Sequence, residues 1–177
     1  MDVSTSTAID YTGQSFINFR DFEFEEEGRH RFRWIDSKKF DLLRPDLDDK
    51  FVLGALIAHP QFLDDYVGGG LDPEGLRHGP YWLSRISPDT YRKVDNATAL
   101  DVLEQWISGC GMIPESLRVE IDHKVLDPVR EATACYLLRT LDNTAANDYA
   151  DIHNEFHEIV LIDRGTRRIL LIVATDD

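Results

Sequence analysis

Three side chains able to bind a transition metal recur at every second position in "DIHNEFHEIV": His153, Glu155 and His157. In an extended chain, residues two apart point the same way, so two imidazoles and a carboxylate would share a face. Such donors suit zinc, or iron with open coordination positions. A small metal-dependent hydrolase could be built on them, with Glu155 as third ligand or general base and a bound water as nucleophile. The spacing is not that of HExxH, where the glutamate directly follows the first histidine. A structural reading competes with the metal site, because the run leads straight into the most apolar stretch of the chain. There a histidine serves as a hydrogen-bonded core residue.

Cys110, between two glycines, invites a nucleophile reading with His123 or His153 as base and Asp122 or Asp151 to orient it. It follows the end of the helix expected over "LDVLEQWIS", however. The partial negative charge of a helix C-terminus raises a thiol pKa, whereas a reactive thiolate needs a cation or a helix N-terminus. The "GGG" at 68–70 lies among acids and lacks a following lysine, so it reads as a loop and not a phosphate cradle. A Walker loop, a GxSxG elbow, a dinucleotide fingerprint and a CxxC pair are all missing from the sequence.

The charge balance points elsewhere. A formal net charge of -14 over 177 residues repels nucleic acid and anionic lipid, which depend on Lys and Arg for neutralisation. It favours a basic protein partner, steered in over about 8 Å, the Debye length at physiological salt. The acids concentrate in the N-terminal half, at Glu25, Glu26, Glu27, Asp46, Asp48, Asp49, Asp64 and Asp65. Tyr81 and Trp82, in a proline-flanked stretch, could serve as aromatic anchors. The preferred expectation is therefore an acidic binding protein of the immunity or inhibitor type, without a cofactor, in a bacterial cytoplasm. The two cysteines are expected to be reduced. Neither a signal peptide nor a membrane span is expected, since the apolar runs fall short of roughly 20 residues.

The elements that must position these residues follow from periodicity. Residues 16–35 alternate aromatic and charged side chains around "EEG". With Glu26, Glu27 and Gly28 as the loop, Glu25 faces Arg29, Glu23 faces Arg31 and Asp21 faces Arg33. Trp34 then lies opposite Arg20. A helix through "KFVLGALIA", capped by Asp46, Asp48 or Asp49, is ended by Pro60, with a further turn through "QFLDDYV". Asn96 caps an amphipathic helix through "ATALDVLEQWIS". Residues 115–126 fit helix or strand. Asp127 and Pro128 open a helix through "VREATACYLLRTL". A second hairpin, "EFHEIVLI" and "TRRILLIVA", turns at Asp163, Arg164 and Gly165. Its strands lack alternation and are expected to be covered on both faces. The whole predicts a single α+β domain over 1–177. In it the N- and C-terminal hairpins build an antiparallel sheet and the central helices pack against it.

Overall fold

The computed structural model describes residues 8–26, 28 and 32–176. Strands β1 (Ile9–Asn18) and β2 (Arg33–Leu42) form the first hairpin, and β7 (Glu155–Asp163) and β8 (Arg168–Asp176) the second. β2 pairs with β8, which joins the two hairpins, and β6 (Ala134–Leu138) and β5 (Tyr91–Val94) extend the sheet beyond β7. The order β1-β2-β8-β7-β6-β5 is antiparallel at every pairing. The α+β arrangement expected from the sequence is therefore the one observed. A two-stranded ribbon, β3 (Arg77–His78) with β4 (Tyr81–Trp82), stands apart from the main sheet.

Each face of the sheet carries a core. Ile35, Ile159, Leu161 and Ile172 pack under helices α2 (Asn96–Ser108), α3 (Glu115–Ile121) and α4 (Asp127–Glu131), against Leu103, Leu117, Ile121 and Val129. Phe40, Val160, Ile162, Ile169 and Leu171 face the other way, onto Val52, Leu56 and Phe62 of α1 (Asp49–Ala58) and the turn after it. Neighbours along β7 thus alternate between two buried surfaces, which is why that strand reads as an unbroken apolar run. Among the described residues, no helix is long and apolar enough to cross a membrane.

Local chemistry shifts several boundaries. The first hairpin is offset by two residues, with Trp34 opposite Asn18 and not Arg20. β1 stops there because the Asn18 side chain accepts the Arg20 N–H at 3.2 Å and starts a 3-10 turn, Phe19–Asp21, that buries Phe19. Asp21 does not face Arg33 in that register. Arg33 lies across from Asp176, and its guanidinium donates to the Trp106 carbonyl. The expected loop residue Glu27 and the expected partners Arg29 and Arg31 lie outside the described residues. The second hairpin pairs Asp163 with Arg168 across a four-residue turn. The Asp163 carboxylate gathers the Gly165 and Thr166 N–H groups, and the positive φ falls on Arg167 (55°) instead of Gly165.

Residues 115–126 are helical, continuing into α4 through a π-helical turn over Asp122–Leu126. Pro128 therefore opens no new helix. It lacks the N–H that a mid-helix position must donate, and the wider turn before it takes up the misfit. Helix α4 ends at Glu131, and "ACYLL" is strand β6, not helix. Asp95 caps α2, accepting the Thr98 N–H at 2.7 Å. Asn96 turns instead to the end of α4, donating to the Val129 and Ala132 carbonyls at 2.7 and 3.0 Å and satisfying acceptors that a helix terminus leaves open.

Candidate functional site: an aromatic cavity with a carboxylate floor

Alternation along β2 places Trp34, Asp36, Lys38 and Phe40 on one face. The β1 register sets Asn18 beside Trp34, Phe16 beside Asp36 and Gln14 beside Lys38. The face thus carries a carboxylate and an ammonium between aromatic rings, and the segment 59–82 folds over it. Lys38 is only 1% exposed; its ammonium donates to Asp64 Oδ2 at 2.7 Å and to the Gln61 carbonyl at 2.8 Å. Asp64 Oδ1 accepts the Tyr66 N–H at 2.8 Å and holds Tyr66 in a left-handed backbone conformation (φ 57°). The Tyr66 ring then lies 6.0 Å from that of Trp34, which lies 5.4 Å from Phe16.

Deeper under the same segment, His78 stacks flat on Phe62 with centroids 3.6 Å apart. Its Nδ1 lies 2.6 Å from the Phe62 carbonyl and must carry a proton, because a carbonyl only accepts. Its Nε2 lies 2.5 Å from Glu158 Oε2, and the Tyr91 hydroxyl donates to the other carboxylate oxygen. This chain ties β7 and β5 to the loop and keeps Glu158 satisfied while buried.

Between the sheet and the loop, toward the β1 edge, opens a cavity of about 1250 Å³. Phe16, Phe22, Phe24, Phe32, Trp34 and Tyr66 supply aromatic walls, with Gln14, Asp36 and Asp64 as polar lining. Asp36 is 2% exposed. Its Oδ1 accepts from the Gln14 amide, whereas Oδ2 has no hydrogen-bond partner among the described residues. Burial pushes its pKa up to about 6; the Asp64 charge adds to the rise, and Gln14 and Lys38 oppose it. The buried Tyr66 hydroxyl is likewise without a partner, and burial followed by the charges of Asp64, Asp36 and Glu158 drives its pKa well up. Unsatisfied buried polar groups are few in folded proteins, and each calls for a physical explanation. Aromatic rings above a carboxylate form a receptor for a positive charge.

No protein-family model, curated protein or solved structure matches this chain.

The metal triad read from the sequence does not converge. His153 precedes β7 and turns to the cavity side of the sheet. Its ring nitrogens lie 3.1 Å from Thr175 Oγ1 and 3.1 Å from the Asp65 carbonyl, and its edge meets the Phe156 ring. Glu155 and His157 alternate to the helix side, paired at 3.6 Å and half-exposed. Among the described residues, no group of three or more His, Cys, Asp or Glu side chains is arranged to hold a metal ion. For Cys110, burial raises the thiol pKa against the opposing pull of Arg33.

The acidic residues read as a partner surface have separate fates. Asp64 and Asp65 are buried: one neutralises Lys38 and lines the cavity, and the other accepts the Val67 N–H at 3.0 Å. Asp48 caps α1 through the Phe51 N–H, Asp49 bonds Arg164, and Asp46 chelates Arg44. Glu25 and Glu26 are exposed, and Glu26 also lines the cavity; Glu27 lies outside the described residues. Tyr81 and Trp82 are half-buried. The Tyr81 hydroxyl accepts the Leu141 N–H at 3.2 Å, and the Arg77 guanidinium sits 5.3 Å from the Trp82 ring.

Sequence reasoning overlooked Asp36, Lys38, Tyr66, His78 and Glu158. One signal was present: in "WIDSKKF", Asp36 and Lys38 share the parity of Trp34 and Phe40, so two charges fall on a face that aromatics mark as inward.

Proposed function

We propose that the protein is a binding protein that captures a basic partner by drawing a cationic group of that partner into the aromatic cavity. The observation that carries this reading is Asp36, a lining residue of the aromatic cavity whose buried Oδ2 has no hydrogen-bond partner among the described residues. Desolvating a carboxylate without pairing it opposes folding, and an arriving cation supplies the missing partner. The net charge of -14 draws cations in from a distance, and the aromatic rings then hold them at short range. An immunity or nuclease-inhibitor role in a bacterial cytoplasm is the setting to which this reading belongs. The donors of the metal-dependent alternative do not converge, and no observation favours it.

A synthetic lysine-rich peptide is a sufficient probe. Calorimetric titration should show binding that weakens as salt rises, and Asp36→Asn should reduce affinity by about tenfold, the scale of one charge-assisted contact. Equal affinity in the wild type and Asp36→Asn would remove the cavity from the interaction.

A further inference from the structure

Resting on that reading, the lining of the cavity specifies which cation it takes. We infer that it selects a primary ammonium carried on an apolar body, over a guanidinium, a quaternary ammonium or a neutral alcohol. The acceptors that remain open decide between these cations. Gln14 already occupies Asp36 Oδ1, and Oδ2 has no hydrogen-bond partner among the described residues. A guanidinium binds a carboxylate best through two parallel N–H donors on two oxygens. Here it would find one oxygen and leave other donors unpaired among aromatic rings.

An ammonium is a compact charge with three donors. One satisfies Asp36 Oδ2, and a second reaches the Tyr66 hydroxyl oxygen, another buried polar atom of a lining residue that lacks a hydrogen-bond partner among the described residues. A quaternary ammonium would gain the attraction of the rings yet leave both oxygens unsatisfied. The Lys38 ammonium is engaged by Asp64 Oδ2 and the Gln61 carbonyl, and it acts on Asp36 through its charge. Size defines the remainder of the ligand. A volume of about 1250 Å³ lies in the range of cavities that accept a whole small molecule and exceeds what a bare ammonium fills. The guest therefore brings an alkyl or aryl-alkyl body that lies against Phe16, Trp34 and Phe32.

The test titrates the protein with phenethylamine, phenethylguanidine, trimethyl(phenethyl)ammonium and phenylethanol, following the Trp34 indole N–H in two-dimensional NMR, with that signal assigned by Trp34→Phe. Phenethylamine should shift it at least about tenfold more tightly than the other three. Asp36→Asn should abolish that preference, and Tyr66→Phe should reduce it while both variants keep dispersed native spectra. Equal affinities across the series, a guanidinium preference, or no shift by any amine up to about 10 mM, a millimolar limit of weak binding, would overturn the inference. A lysine-rich peptide is run in parallel. If phenethylamine binds and the peptide does not, the basic-partner reading fails while the selectivity stands. If the peptide binds at Trp34 and the small-molecule series is flat, the reverse holds.

Discussion

Asp36→Asn should stabilise this protein, and only above the pH at which Asp36 ionises. The native pKa of about 6 lies above the ordinary value of 3.8, so between the two the folded state binds more protons than the unfolded state. Stability then falls as pH rises through that window. Below it both states are protonated and the carboxyl costs nothing extra; above it the folded protein holds a desolvated anion. A rise of this size corresponds to about 3 kcal/mol at neutral pH, taking about 1.4 kcal/mol per unit. Asparagine keeps the acceptor used by Gln14 and stays neutral throughout. The variant should therefore match the wild type near pH 4 and exceed it by about 3 kcal/mol at pH 8, or roughly 6–12 °C in Tm for a chain of this length. Urea denaturation of both proteins across pH 4–8 measures the difference, and the many other acids cancel in the comparison. Gln14, Lys38, Asp64 and Tyr66 surround the carboxylate and are the same in both. A gap independent of pH, or an Asn variant weaker at pH 8, would refute the argument. Loss of peptide affinity alongside gained stability would be the signature of a site kept at the expense of the fold.

Three further outcomes follow from the same geometry. Lys38→Met strands the buried Asp64 carboxylate and should cost about 3–5 kcal/mol; adding Asp64→Asn should restore part of it, and a single-variant loss below about 1 kcal/mol in urea would contradict the buried pair. Gly79→Ala should cost more than about 2 kcal/mol, because φ is +51° and a Cβ there would overlap the Phe156 ring; an unchanged Tm would show that the ribbon can shift. His153→Ala should lose about 2 kcal/mol with its two ring contacts, against less than about 0.5 kcal/mol for the half-exposed His157→Ala; the opposite order would place the structural histidine at 157.

The second hairpin was legible from its doubly buried apolar runs. The aromatic and charged alternation read as the strands of the first runs past Asn18 into residues 19–26, which form a 3-10 turn and no strand, with β1 and β2 over Ile9–Asn18 and Arg33–Leu42. Registers were less so, since they depend on individual side chains wrapping their own backbone. Asn18 ends β1 early, and Asp163 enlarges the second turn. Strand β6 was taken as helix because a short apolar run such as "ACYLL" has no period to distinguish the two. The cavity was the least legible feature. Its lining comes from β1, β2 and the segment over them, and acids counted as surface charge, such as Asp64, turn inward once Lys38 meets them. Burial reverses the meaning of an acidic residue, and composition does not record burial.

The central place of the β7–β8 hairpin governs how the chain assembles. β2 docks on one side of that hairpin and β6 on the other, and the first docking sets Trp34 across from Thr175. Closing so long a loop is entropically slow. On the ribosome, β1–β2 and the helices must wait, with sheet edges unpaired, until residues 155–176 emerge. The carboxylate floor is part of β2, and both β1 and the segment 59–82 that folds over it precede β7 and β8 in the chain, so its cover is made before the sheet can close. The chain thus holds the walls and floor of its cavity before the strand that fixes β2 in the sheet is made, and a nascent chain stalled at that point would leave the β8-facing edge of β2 open to chaperones.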